Sequence, residues 1–247
     1  MSERPGESST DASGSRRPAG GARGSRSQTL ERALDALGIL ADGKPRASGE
    51  LAAELGLHRS IVYRFLRTLE DYHFVSRAQD GRYILGLGIA ALAESGLSGS
   101  ELRVEDILDE LANATQATAI LCVAQKDHAV VLFSARPSSQ TAAVSIRRST
   151  RFPLSSGAPG MAILALDPLS EDDSDEVKLA RKIGYVHTKG GPFPGFDAVA
   201  RPVRMGDSQG GSLAVVYPTS EHRSREVAQP LQHAALRIER PAEVWSS

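Results

Sequence analysis

The sequence predicts an α+β protein, a winged helix-turn-helix followed by an antiparallel sheet with helices packed on it. Three observations carry this reading. Apolar residues recur at helical spacing from Leu30 to about Tyr72, in three runs broken at Asp42-Gly43 and at Gly56. Two short β-prone stretches, FVSRA and GRYILG, then flank Asp80-Gly81, a strong hairpin turn. From about Thr118 the texture changes to β-branched runs separated by polar turns.

Each element follows from local chemistry. In the first helix Leu30, Ala33, Leu34, Leu37 and Leu40 form one stripe, closed by Asp42-Gly43. The turn GKPRAS leads to a short second helix, with Ser48 as the predicted N-cap, Leu51, Ala52 and Leu55 as its buried stripe, and Gly56 where positive φ is needed. A third helix runs to about Tyr72, and the hairpin follows as the wing. Leu85 to about Leu97 reads as a further helix, and a longer amphipathic one follows with Leu102, Ile107, Leu108, Leu111 and Ala112. The stretch TAILCVAQKDHAVVLFSARPSSQTAAVSIRR suggests three antiparallel strands. APGMAILALDP and SEDDSDEVKLARKIGY read as helices, the second with an acidic start and basic end that suit the helix dipole. DAVARPVRM and GSLAVVYP complete the sheet, and residues 221–239 form a terminal helix. The predicted division is a disordered tail over 1–26, a DNA-binding domain over 27–85, a linker and dimerisation helix over 86–98 and a second domain over 99–240.

Composition narrows the function classes. The 247 residues suffice for two small cores, and a net charge of −1 means that any nucleic-acid surface must be a local patch. Residues 1–26 are rich in Ser, Gly, Pro and Arg and poor in large apolar side chains, the composition of a disordered and weakly basic arm. Cys122 is the single cysteine, so no internal disulfide exists and a reducing cytoplasm is expected. No apolar run is long enough to span a bilayer, and no signal-peptide core opens the chain.

The third helix carries the functional prediction. On a 3.6-residue period Val62, Phe65, Leu66 and Leu69 fall on one face, and Arg59, Ser60, Tyr63, Arg64 and Arg67 on the other. Arg can bond guanine O6/N7 or phosphate, Ser can bond base or backbone, and a helix N-terminus attracts phosphate. A basic face alone would be ordinary solvated surface. The preceding short helix, the Gly turn and the following wing make it a candidate major-groove reader. His58 stands beside it. Lys44, Arg46 and Ser48 at the second helix, and Arg77, Gln79 and Arg82 in the wing, are candidate backbone contacts.

SQTLERALDALGILADG, ELAAELGLHRSIVYRFLRTLED and GRYILGLGIAALAE resemble successive blocks of the IclR family of bacterial transcription regulators. The similarity continues through SSGAPGMAILAL and RKIGYVHTKGGPFPGFDAVARPVR, over nearly everything after residue 27. The resemblance implies a winged helix, a linker helix used in dimerisation, and a GAF-like effector-binding domain. Family members form dimers or dimers of dimers and repress or activate genes of small-molecule metabolism. A homodimer or homotetramer on a palindromic double-stranded operator is therefore expected, under the control of a small-molecule effector.

The chain departs from the family pattern around the effector site. SSGAPGMA keeps Ser156, Gly157 and Ala158 but inserts Pro159 and has Met161 in place of a Lys. The segment before RKIGY is about half the usual length, Thr188 and Lys189 replace acidic residues, and Val216 and Pro218 replace small polar ones. Fewer anion-fixing groups predict a larger apolar or aromatic ligand, or a domain that has lost its pocket and only dimerises. Candidate pocket residues are Cys122, Leu132, Gly157, Ala158, Met161, Phe196, Ala198 and Val216.

Catalysis and cofactor chemistry are not predicted. The six His show no metal-ligand spacing with one another or with Cys122, and no G-x-S-x-G motif occurs. GLGIAA (Gly86 to Ala91) fits a dinucleotide-binding pattern, but it follows a wing strand and enters no parallel βαβ unit. Its glycines are expected to let the wing turn sharply into the linker helix. An enzyme carrying a DNA-binding domain, and a sequence-independent architectural protein, are the competing classes.

Overall fold

The computed structural model describes residues 27–97, 100–139, 143–205, 209–221 and 223–239. The predicted tail with its five Arg lies outside them. The first three helices are α1 (Gln28–Leu40), α2 (Ser48–Leu55) and α3 (Arg59–Asp71), followed by the wing strands β1 (Val75–Arg77) and β2 (Tyr83–Leu85). β1 and β2 pair antiparallel, and Arg46 adds a bridge to Tyr83 through N–H···O contacts of 3.0 and 2.7 Å. Their shared core comprises Ala33, Ala36, Leu40, Leu51, Ala52, Leu55, Val62, Phe65, Leu66, Val75 and Tyr83.

Two sequence expectations change here. Leu30 and Leu34 are 60% and 53% exposed, and the buried line of α1 runs instead through Ala33, Ala36 and Leu40. Leu30 and Leu34 thus lie on the solvent side of that line. The N-cap of α2 is Ala47, not Ser48: the Glu50 carboxylate accepts the Ala47 N–H at 2.7 Å. Gly56, by contrast, holds the left-handed C-cap as expected, at φ 63°. Gly86 and Gly88 stand where the wing passes into the next helix, hard against the preceding backbone. A Cβ on either would come within 2.1 Å of the His73 carbonyl or 2.6 Å of the Tyr72 carbonyl.

α4 (Gly88–Leu97) and α5 (Ser100–Thr115) lead into a six-stranded antiparallel sheet. Its strands are β3 (Thr118–Gln125), β4 (His128–Ala135), β5 (Arg151–Pro153), β6 (Val186–Lys189), β7 (Phe196–Met205) and β8 (Gln209–Pro218), in the order β5-β4-β3-β8-β7-β6. The third early strand is thus Arg151–Pro153, beyond the stretch expected to contain it, and residues 143–147 carry no regular structure. β6, a short edge strand, was not anticipated. α6 (Gly157–Leu164), α7 (Asp175–Ile183) and α8 (Ser224–Glu239) complete the described fold.

Alternation along the strands builds two cores. Ala119, Leu121, Val199, Leu213, Val215 and Tyr217 face α5 and α8. Ile120, Cys122, Ala198, Ala200, Ala214 and Val216 face α6 and α7. Buried Asp197 ties down the loop between β6 and β7, accepting from Thr219 Oγ1 at 2.7 Å and from the Gly190 N–H at 3.3 Å. Among the described residues no helix is long and apolar enough to cross a membrane.

Candidate nucleic-acid interface

α3 begins with His58 as N-cap, whose ring Nδ1 lies 3.4 Å from the Ser60 amide and 2.8 Å from Ser60 Oγ. Val62, Phe65 and Leu66 are buried, and the remaining face is exposed. Arg59, Ser60, Tyr63, Arg64 and Arg67 all lie on it.

A groove of about 760 Å³ lies between α3 and the wing. Ser48, Arg59, Ser60, Tyr63, Arg64, Arg77 and Arg82 all line it, together with Ala47, Asp80, Gly81 and Tyr83. The structure thus gathers seven of the ten predicted DNA-contacting residues. Arg67 lies one turn further along the same exposed face, and His58 is committed to capping. Arg46 is turned away: its guanidinium binds Asp42 at 2.9 Å and Glu54 at 3.0 Å, and its side chain is only 17% exposed. The neighbouring carboxylates hold that guanidinium's pKa above its ordinary value. Arg46 therefore braces the turn before α2 instead of reaching outward.

The other Arg residues divide by partner. Arg77 binds Glu70 at 3.1 Å and stacks over Tyr83, 4.8 Å from the ring centroid. Arg82 lies 3.4 Å from Asp80 and 3.9 Å from Glu50. Arg59 Nε reaches Ser48 Oγ at 3.4 Å. Among the described residues Arg59, Arg64 and Arg67 have no acidic partner within ion-pair distance. The cations of α3 are available to an external anion, whereas those of the wing are already partly neutralised. Ile61, 43% exposed beside Ser60, is a further candidate contact that sequence reasoning passed over. Its place at the edge of the apolar stripe gave the signal.

The predicted effector residues converge less completely. Cys122, Ala158, Ala198 and Val216 are buried in one core, and Met161 and Phe196 pack against it. Gly157 stands at the start of α6 with φ 74°, where a Cβ would meet Pro192 Cδ at 2.4 Å. Leu132 does not join them. The β3–β4 register slips between Leu121 and Cys122, so Leu132 is the extra residue of a bulge and is 36% exposed. Thr188 Oγ1 accepts the Ala158 N–H at 2.9 Å, and Phe193 packs edge-on against Phe152 with centroids 5.6 Å apart. Ser212, missed in the sequence, lies on the same face as Ala214 and Val216. Its Oγ is buried and has no hydrogen-bond partner among the described residues. No group of three or more metal-ligating side chains occurs among the described residues.

Residues 29–79 match the IclR helix-turn-helix domain. An HTH-type transcriptional regulator of Mycobacterium tuberculosis, Rv1719, is 33% identical over 143 residues, 57% of this chain and 55% of that protein. The match therefore spans about half the length of that relative. An IclR transcriptional regulator from Alicyclobacillus acidocaldarius has the same fold, with a TM-score of 0.72 and 23% identity over 87% of this chain and 98% of that one. An IclR homolog from Microbacterium hydrocarbonoxydans, solved with 4-hydroxybenzoate, gives a TM-score of 0.61 and 20% identity over 89% of this chain and 100% of that one.

Proposed function

We propose that this chain, whose residues 29–79 match the IclR helix-turn-helix domain, is a dimeric, sequence-specific transcription regulator acting on double-stranded DNA in the cytoplasm. The observation that carries this reading is the exposed α3 face. Arg59, Arg64 and Arg67 lie on it with no acidic partner among the described residues, and Arg59 and Arg64 line the groove beside the wing. α3 occupies the major groove in this reading, with Arg77 and Arg82 of the wing against the backbone. Exposed Leu30 and Leu34 on α1, Leu87 just before α4 and Leu92 on α4 are apolar surface that supports self-association. A two-fold dimer reads a palindrome whose half-sites lie roughly one helical turn, or a multiple of it, apart.

The second domain is read as the effector-binding part. The unpartnered Ser212 Oγ supports this, because buried hydroxyls are nearly always satisfied and a ligand acceptor would complete this one. The compounds to test first are phenolic carboxylates, the class held by the Microbacterium hydrocarbonoxydans relative. One observation favours a second reading in which the domain only dimerises. Thr188 already takes the Ala158 N–H, and Pro192 lies against Gly157 at the start of α6.

Footprinting on the DNA flanking the gene tests the main reading. Protection of a palindrome, with affinity falling steeply as salt rises, is the expected result. Equal affinity for flanking and random DNA would sink it in favour of an architectural protein. Sedimentation of the full chain tests the dimer, and a thermal upshift with a bound metabolite separates the two readings of the second domain.

A further inference from the structure

Lys126 stands at the tip of the β3–β4 hairpin, in the left-handed conformation at φ 58°. Its ammonium reaches across to α1, 2.8 Å from both carboxylate oxygens of Asp35 and 3.1 Å from Glu31. The Asp35 carboxylate is the main cause that keeps the Lys126 pKa above its ordinary value. This contact joins the winged helix to the second domain rather than bracing either one. Beside it the Arg151 guanidinium of β5 lies over Gly38, so close that a Cβ there would come within 2.8 Å of Nη1. A side chain at position 38 would press on that arrangement.

Behind the hairpin tip the contacts continue toward α6. The Leu154 N–H donates to the Asp127 carbonyl at 3.0 Å. The Leu154 carbonyl in turn lies against α6, where a Cβ on Gly160 would come within 2.3 Å of it. A short backbone path thus links the start of α6, through Leu154 and Asp127, to Lys126 and so to α1.

We propose that the β3–β4 hairpin tip is an intrachain latch: Lys126, clamped between Glu31 and Asp35, sets the orientation of the winged helix on the second domain and transmits displacement of α6 to α1. Its consequence for DNA binding rests on the regulator reading above; the docking itself does not. Exposed ion pairs hold weakly, and that suits the role. A ligand moves a two-state equilibrium only by its differential affinity, so a latch it must release cannot be tight.

The test has two arms on the full chain. In the first, an equal mixture of light and 15N-labelled protein is treated with a carbodiimide, which joins an amine to a carboxylate only at contact distance. An amide between Lys126 and Asp35 or Glu31, found in all-light and all-heavy forms alone, is the expected product. Its absence, or its appearance in mixed light–heavy form, overturns the intrachain latch. In the second arm Lys126→Glu is compared with the parent on the footprinted DNA. We expect an affinity change of about fivefold or more at an unchanged melting temperature, the lower end of allosteric couplings. The triple variant Lys126→Glu, Glu31→Lys, Asp35→Lys should restore parental affinity. A parent that binds DNA and a Lys126→Glu variant that binds it equally well would overturn the regulatory role. A parent that binds no DNA would defeat the regulator reading instead, and the crosslink would still decide the latch.

Discussion

Thr188 Oγ1 stands 2.9 Å from the Ala158 nitrogen and accepts the N–H that opens α6. A carboxylate oxygen of a ligand would use that same N–H, so Thr188 competes with an anionic effector. Thr188→Val leaves the buried N–H without an acceptor and should cost about 1–3 kcal/mol in the ligand-free protein. Anionic ligands should then bind more tightly, and Thr188→Ser should behave as the parent. Thermal melts of the three proteins, with and without aromatic carboxylates, separate these outcomes. Equal melting of all three without ligand would mean that the contact contributes nothing.

Arg64 and Arg46 should differ in kind. Arg64→Ala removes an unpaired cation from the exposed face of α3 and should weaken operator binding by about 1–3 kcal/mol if it bonds a base. An equal loss on random DNA would reassign it to phosphate. Arg46→Ala breaks the links to Asp42 and Glu54, both partly solvent-screened, and should lower stability by about 1 kcal/mol while leaving the salt dependence of binding unchanged. Chemical denaturation paired with binding isotherms distinguishes the two variants.

Cys122 lies wholly buried between β4 and β8, and burial pushes its thiol pKa far up. The reactive thiolate is suppressed, so the native protein should take no label from iodoacetamide, while denatured protein should label fully. Labelling under native conditions would reveal opening of the α6 face. Repeating the experiment with a ligand would show whether binding closes it.

Tyr217 is 1% exposed, with its hydroxyl 3.3 Å from His187 Nε2 and Asp197 nearby. Burial, reinforced by the Asp197 charge, pushes its pKa up to about 12. In the unfolded chain a tyrosine ionises near pH ~10. The native state therefore favours the neutral phenol, and the corresponding stability is complete below about pH 10 and lost on the way to about pH 12. Denaturation midpoints should fall over that window, and Tyr217→Phe should flatten the fall. An unchanged slope in the variant would place the alkaline sensitivity elsewhere.

The winged helix was nearly all legible because its signals are local. Val62, Phe65 and Leu66 announced the buried side of α3 by spacing alone, and Gly56 and Asp80-Gly81 marked turns through backbone chemistry that needs no distant partner. Hydrophobicity without geometry misleads in α1. Leu30 and Leu34 look like core by hydrophobicity, yet Ala33 and Ala36 face it, and which side of a helix meets its neighbours is set by tertiary packing. The second domain was less legible. A bulge turned Leu132 out of its expected face, and a one-residue slip in register depends on the partner strand.

The amino-acid sequence by itself determined the class of protein, the three helices and wing, and the cationic face of α3, since periodicity and turn chemistry act within a few residues. Tertiary structure decided which cations remain free. Arg46 is consumed by Asp42 and Glu54, Arg77 and Arg82 are shared with acidic neighbours, and Arg59, Arg64 and Arg67 have no acidic partner among the described residues. It also set Thr188 against Ala158 and Lys126 against Asp35, pairs 30 and 91 residues apart in the chain. Charge and hydrogen-bond partnership are settled by distance in space, and residues that far apart meet only once the sheet has brought them together.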